Sequence, residues 1–368
     1  MSAAKKIVLT GGPCAGKTTA RAYLMQKLGD LGYHVLFVPE APSLLMHSGI
    51  KPGGILDNEA FQRAVLDLTL TLEDTLSNAV ADRRYGADMV VQMCDRGVMD
   101  GLAYTADRDL FAHWLTNRGL SIVDARDRRY DAVCHLVTAA DGAEAYYTLD
   151  NNSSRFETAE QARAADRRTL AAWQGCPKLR IIPNTGTFDD KLKHLLAEIC
   201  AVLGIPEPVE TERRFLVRPD FNPSDLGDYE LVDIEQFYLV SNIPNEALRF
   251  RKRSQNGDAV YFKTRKRPGL HPASNIETED FITEEQYEFG KQFMLPGSRF
   301  VRKERICFVY QHQYFELDVF SEPALKYCLL ELELAHPDQP MTLPPFLPIE
   351  REVTGDTSWG NYALATRS

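Results

Sequence analysis

Apolar residues in the first 204 positions come in short unbroken runs, and between those runs they recur at helical spacing. The runs are Lys6-Ile-Val-Leu-Thr10, His34-Val-Leu-Phe-Val38, Asp88-Met-Val-Val-Gln-Met-Cys94, Asp131-Ala-Val-Cys-His-Leu-Val137 and Leu179-Arg-Ile-Ile182. Thr18 to Leu28 and Glu157 to Trp173 read as helices. Continuous apolar strands separated by helices predict an α/β domain whose parallel sheet is covered on both faces. Beyond about residue 209 short segments alternate charged and apolar positions, which predicts a mostly antiparallel β-domain. Between the two lies Gly204-Ile-Pro-Glu-Pro208, a glycine stop followed by prolines, short and stiff. Two domains, 1–204 and 209–368, are expected.

The apolar fraction (44%) and charged fraction (26%) are those of a globular chain. No apolar run approaches the roughly 20 residues that span a bilayer. The first strand begins almost at once, leaving no room for a secretory signal, so a cytoplasmic location is expected. Seven cysteines without a CxxC pair read as small buried hydrophobes, not as a disulfide frame or zinc site. The net charge of −10 is unevenly divided. Residues 1–204 carry 23 Lys+Arg against 25 Asp+Glu (−2), and the remainder 19 against 27 (−8). Such a balance argues against a duplex nucleic acid partner.

The strongest local signal is Gly11-Gly12-Pro13-Cys14-Ala15-Gly16-Lys17-Thr18, followed by Thr19. It matches the phosphate-loop pattern G-x-x-x-x-G-K-[ST] between a strand and a helix. Its glycines let backbone N–H groups converge on phosphate, and the helix adds its positive end. Lys17 is placed to span the β- and γ-phosphates of ATP or GTP, and the Thr18 hydroxyl to hold Mg²⁺ (or Mn²⁺). Ligands of parallel sheets sit beyond the carboxyl ends of the strands, and three strand ends carry polar residues. Asp95, in Cys94-Asp95-Arg96-Gly97, would complete the metal shell or else cap a helix. Glu40, after the second strand, would either accept a proton from a hydroxyl acceptor or simply close the strand. Asn184 follows the fifth strand. Arg163 and Arg167 share one helical face, either as lid residues that neutralise a transferring phosphoryl group or as part of a solvated surface. Phe61-Gln62-Arg63 with Glu73 and Asp74 are candidates for contact with the acceptor, although amphipathicity explains them nearly as well.

This combination resembles the P-loop kinases that include deoxynucleoside and nicotinamide riboside kinases. It resembles still more closely the NadR-type, AAA-like ATPase/kinase domain, through Asp95-Arg-Gly-Val-Met-Asp100-Gly-Leu-Ala-Tyr104. The resemblance implies a strand order of 2-3-1-4-5.

In the second half the charges are sorted by sign, strand by strand. Side chains at i, i+2 and i+4 of a strand share a face. Glu210-x-Glu212-x-Arg214 is mixed; Arg249-x-Arg251-x-Arg253, Lys263-x-Arg265-x-Arg267 and Lys303-x-Arg305 are basic; Glu277-x-Glu279, Glu316-x-Asp318 and Glu331-x-Glu333 are acidic. Lined up inside a barrel they make a poor core and a good channel for a polyphosphate with its metal. The set resembles the CYTH superfamily of triphosphate tunnel metalloenzymes over about 209–365, a C-terminal antiparallel β-barrel. By that resemblance Glu210, Glu212, Glu331 and Glu333 would hold metal. Arg214, Arg249, Arg251, Lys263, Arg265, Lys303 and Arg305 would grip a phosphorylated small molecule or polyphosphate. Arg214 stands where the family signature has lysine, which leaves binding intact and puts hydrolysis in question. The two-domain arrangement resembles proteins of the insect TRPL-channel translocation-defect type, which raises peripheral binding of lipid headgroups as a non-catalytic alternative.

Overall fold

The computed structural model describes residues 4–81, 89–144, 158–205, 211–268, 275–334 and 341–367. The chain divides into two compact units, Met1–Leu203 and Gly204–Ser368.

In the first unit β1 (Lys5–Thr10), β2 (His34–Val38), β3 (Val90–Asp95), β4 (Ala132–Leu136) and β5 (Leu179–Ile182) form one sheet in the order β2-β3-β1-β4-β5. All four pairings are parallel, and the order is the one the kinase resemblance implies. The inner strands are apolar on both sides because helices cover both faces: β4 is buried throughout, and β3 up to its last residue. The helices are α1 (Lys17–Asp30), α2 (Ala41–His47), α3 (Asn58–Ala81), α4 (Arg108–Thr116), α5 (Ala159–Trp173) and α6 (Phe188–Leu203). Ile7 and Leu9 of β1, Met93 of β3 and Cys134 of β4 pack on Leu24 and Leu28 of α1 and Leu195 and Ile199 of α6. The turn-rich stretch Asn151-Asn-Ser-Ser-Arg155, which the sequence offers as a lid ahead of the helix of Arg163 and Arg167, lies outside the described residues. That helix starts at a Thr158/Gln161 capping box, which satisfies orphan N–H groups of the first turn.

The second unit contains β6 (Thr211–Val217), β7 (Tyr229–Leu239), β8 (Ala247–Gln255), β9 (Asp258–Pro268), β10 (Asn275–Ile282), β11 (Val301–Tyr310), β12 (Gln313–Glu322), β13 (Cys328–Leu334) and β14 (Ile349–Glu352). They make a nine-stranded sheet in the order β10-β9-β8-β7-β11-β12-β13-β6-β14, with every pairing antiparallel. Two short helices, α7 (Glu284–Gly290) and α8 (Asn361–Thr366), accompany it. Among the described residues the end strands β10 and β14 do not pair with each other.

One face of this sheet is apolar, and outer segments cover it. Phe215, Phe308, Phe315, Leu317, Leu330 and Leu332 pack beneath Met341, Leu343, Phe346 and Leu347. Phe237 and Leu239 pack with Tyr287 of α7. The opposite face is ionic along most of its length and is closed at one end by Leu364 and Ala365 of α8 against Leu216, Tyr238, Val301, Phe320 and Leu329. Among the described residues of either unit no helix is long and apolar enough to cross a membrane. All seven cysteines are free thiols, and burial pushes Cys134 and Cys307 up to about 12.

Candidate functional site

The phosphate loop joins β1 to α1 through backbone that few side chains tolerate. Gly11 and Gly16 have φ of 137° and 89°, and Cys14 has 56°. A Cβ on Gly16 would meet the Phe188 ring at 2.6 Å, and one on Gly12 would meet Asp166 at 2.8 Å. Gly16→Ala is therefore expected to add about 1–3 kcal/mol of strain and to weaken nucleotide binding accordingly, which a titration with fluorescent nucleotide would read.

Neighbouring strands hold the loop in shape. Asp166 of α5 accepts from the Gly12 N–H at 2.6 Å and the Thr138 N–H at 3.2 Å, and lies 3.3 Å from His135 Nε2. The Thr138 hydroxyl donates to the Pro13 carbonyl, and the Ala139 N–H to the Cys14 carbonyl at 3.1 Å. Lys17 donates from Nζ to the Gly11 and Gly12 carbonyls at 3.0 and 3.3 Å. Burial, with Arg96 beside it, pulls the Lys17 ammonium down to about 8 against the attraction of Asp95, Glu40 and Asp100.

Those three carboxylates mark the floor of the site. β3 runs alongside β1, with Asp95 opposite Leu9, and Arg96 turns out of the strand with φ 68°. Arg96 Nε donates to Glu40 at 2.5 Å and NH1 to Asp100 at 3.2 Å. Asp100 also accepts from the Gly97 N–H at 2.8 Å, from Trp173 Nε1 at 3.3 Å and from the Thr10 hydroxyl. Burial raises Glu40, but Arg96, the Ser43 hydroxyl and Lys17 outweigh it and hold the carboxyl below its ordinary range. Asp95 shifts the other way, since burial raises it more than Lys17 lowers it. Its Oδ1 is buried without a hydrogen-bond partner. An orphaned carboxylate oxygen, with the exposed Thr18 hydroxyl in the first turn of α1, is a hard-oxygen donor pair that fits a divalent cation.

Lys17, Glu40, Asp95 and Arg96 thus come together. Arg163 is half-buried and donates to the Ala140 carbonyl at 2.6 Å, just past the strand that supports the loop, while Arg167 is exposed. Glu73 and Phe61 do not face an acceptor. Phe61 is core, and Glu73 is fully buried, accepting from Arg129 Nε at 2.6 Å and the Tyr130 hydroxyl at 2.8 Å. Asn184 is spent on the Thr138 and Asp141 carbonyls, both at 2.7 Å. Asp166 and Lys191, which shape the loop from α5 and α6, carry no local motif.

The strand register of the second unit settles which charges share a face. Arg305 pairs across from Asp318, Glu316 from Glu331, Glu331 from Arg214 and Glu333 from Glu212. Lys303 pairs with Ile234, Ile234 with Arg253, Gln236 with Arg251 and Tyr238 with Arg249. The face therefore carries Glu212, Arg214, Arg249, Arg251, Lys303, Arg305, Glu331 and Glu333 together. Lys263 and Arg265 belong to the other face. Asn256-Gly257 makes a two-residue hairpin, with φ of 54° and 90°, that pairs Gln255 with Asp258 and hence Phe250 with Lys263 and Leu248 with Arg265. On β9 the face of Arg249 and Arg251 carries Thr264 and Lys266 together with the apolar Phe262 and Val260. Glu210 lies outside the described residues.

These charges are withdrawn from solvent. Lys303, Arg305, Asp318 and Arg253 are 4%, 6%, 0% and 0% exposed. Arg305 donates to both Asp318 oxygens at 2.7 Å, to Glu331 at 2.7 Å and to Glu316, while Lys303 also donates to Asp318. Arg251 reaches Glu279 at 2.5 Å, and Arg214 lies 3.0 Å from Glu212. Among the described residues, which leave out Glu210, no three His, Cys, Asp or Glu are grouped to hold an ion. Gln236 is 1% exposed, with a buried Nε2 that has no hydrogen-bond partner on this face.

Residues 6–191 match the AAA domain family. The chain belongs to that family. Besides its AAA domain, the chain is similar to an inorganic triphosphatase from Nitrosomonas europaea, 32% identical over 159 residues that make up 42% of this chain and 96% of the relative. Among solved structures, an inorganic triphosphatase is 31% identical, over 43% of this chain and 95% of that one, with a TM-score of 0.32. A putative adenylyl cyclase from Hippeastrum, described as having a dominant triphosphatase activity, is 15% identical over 35% and 81%, with a TM-score of 0.26. An AAA-type nucleotide-binding domain and triphosphatase homologues support phosphoryl transfer from a nucleotide or triphosphate.

Proposed function

We propose that the chain carries two phosphoryl-transfer centres, a Mg²⁺-dependent ATP or GTP site in the first unit and a triphosphate site on the ionic face of the second. In the first, Lys17 and the loop amides bind the β- and γ-phosphates, and Thr18 and Asp95 hold the cation, which would neutralise charge on the transferred group. Arg163, held by the Ala140 carbonyl just past β4, would add positive charge from α5. Glu40, fixed by Ser43 and Arg96 beside Lys17, supplies a carboxylate that would take the proton of a small hydroxyl acceptor.

In the second unit the reading rests on one observation: Lys303, Arg305, Asp318 and Arg253 share a sheet face and are nearly inaccessible. A flat, open face would leave them in water, so the face is read as the lining of a channel. The similarity of the chain to an inorganic triphosphatase supports this reading, and the guanidinium groups of the face suit bidentate contact with phosphoryl oxygens. A second reading is binding without turnover, of phosphorylated ligands such as phosphoinositide headgroups. It is favoured by the engagement of Glu212 and Glu331 with arginines.

The test is phosphate release from ATP, GTP and inorganic triphosphate by the native protein, with Mg²⁺ or Mn²⁺. Release from a nucleotide and from inorganic triphosphate is expected. Binding of all three with release from none would replace this reading by the non-catalytic one.

A further inference from the structure

Lys191 lies one turn into α6 and is 3% exposed. Its ammonium donates to three neutral oxygens: the Val137 carbonyl at 2.6 Å, Asn184 Oδ1 at 2.7 Å and the Ala15 carbonyl of the phosphate loop at 3.2 Å. Each belongs to a different segment, namely the end of β4, the turn after β5 and the phosphate loop. Asn184 extends the tie through its own amide, which donates to the Thr138 and Asp141 carbonyls. The titratable groups that face Lys191 are Asp166 of α5 and Lys17 of α1. Asp166 already serves Gly12, Thr138 and His135.

A buried ammonium held by dipoles is expensive to keep charged. Hydrophobic packing at the start of α6 would have needed no charge there, and Phe188, one turn earlier, already packs against Gly16. The charge acquires a use when an anion sits on the other side of the loop. We propose that Lys191 is a second lysine of the nucleotide site, a positioning residue that holds the phosphate loop from behind and supplies positive charge that a bound polyphosphate compensates. The proposal rests on the reading of the first unit as a nucleotide site.

The pH dependence follows from the same surroundings. Burial first, and Lys17 second, bring Lys191 down to about 8, with Asp166 opposing. Its charge is therefore present at neutral pH and lost as pH rises past about 8. A bound polyphosphate would favour the charged form, so affinity should fall through that range.

The experiment measures the affinity of MANT-ADP and MANT-GDP for the native protein, Lys17→Ala, Lys191→Met and Lys191→Arg at pH 7 and pH 9.5, with thermal melts of each. Lys191→Met is expected to bind about ten-fold more weakly than native at pH 7, as for loss of a charged hydrogen-bonding group. At pH 9.5 that ratio should shrink towards one. Equal affinity at pH 7, or a ratio that does not change with pH, overturns the proposal, since a space-filling role would be indifferent to pH. If Lys191→Met does not fold, Lys191→Arg decides. Its guanidinium keeps its charge, so its affinity should fall less than the native protein's between the two pH values, and an equal fall refutes the idea. Native protein that binds neither nucleotide sinks the nucleotide reading and this proposal with it. Native binding that Lys17→Ala loses and Lys191→Met keeps sinks the role of Lys191 alone.

Discussion

Lys17→Ala is expected to lower turnover of ATP or GTP by about 10²–10³, as for removal of one preorganised charge donor from a phosphoryl-transfer site, while the protein stays folded. Both halves of the expectation come from the surroundings of one ammonium group. Its hydrogen bonds run to the carbonyls of Gly11 and Gly12 in its own loop, so its removal unties no distant element. Burial and Arg96 already hold it below the ordinary lysine value, which means that its charge costs the native state free energy. A residue kept charged at such a cost, beside Asp95, Glu40 and Arg96, serves the ligand and not the fold. Steady-state kinetics with both nucleotides, beside a melting curve, checks the two halves together. A variant that loses stability by several kcal/mol would show that Lys17 is structural after all.

Asp318→Ala should have the opposite profile, a loss of about 3–5 kcal/mol in the second unit, as for breaking a buried ion pair by removing one partner. The carboxylate is inaccessible and accepts from Arg305 at 2.7 Å and from Lys303. Without it, two buried cations face each other with only Glu316 and Glu331 near Arg305 to balance them. The pH dependence has a definite sign. Although burial raises Asp318, Arg305 and Lys303 outweigh it and hold the group at about 2, below its unfolded value of 3.8. Its contribution is therefore complete above about pH 4 and is lost as pH falls towards 2. Urea titrations between pH 2 and 5, followed by amide exchange in β11 to β13, should show this slope in the native protein and a flatter one in Asp318→Asn. Equal slopes would remove Asp318 from the centre of the network.

The sequence was most legible where chemistry is local. The phosphate loop, its strand and its helix lie within 30 residues, and the loop's glycines mark the positive φ angles. The order of the parallel sheet came from resemblance, because runs such as those of β3 and β4 are apolar on both sides and periodicity says nothing about neighbours. In the second unit the alternation of charge was readable strand by strand, but relative facing depends on turns. Lys263 and Arg265 alternate like Arg249 and Arg251, yet the two-residue Asn256-Gly257 hairpin puts Thr264 and Lys266 on the ionic face instead. Asn-Gly between two alternating runs is itself a two-residue hairpin signal that sets this parity. Asp166 and Lys191 were not legible. Each meets the phosphate loop from more than 150 positions away, and neither type marks a loop anchor by itself. Glu73 misled because a carboxylate on an amphipathic helix looks solvated until Arg129 and Tyr130 are brought beneath it.

Two separate centres are the core of the account, and a crossed comparison tests them most directly. Phosphate release from ATP, GTP and inorganic triphosphate should be measured for native protein, Lys17→Ala and Glu331→Ala/Glu333→Ala. The first variant is expected to lose nucleotide turnover and keep that of inorganic triphosphate, and the second to do the reverse. If a single variant abolishes release from every substrate, or if neither changes any, two phosphoryl-transfer centres in one chain is the wrong description.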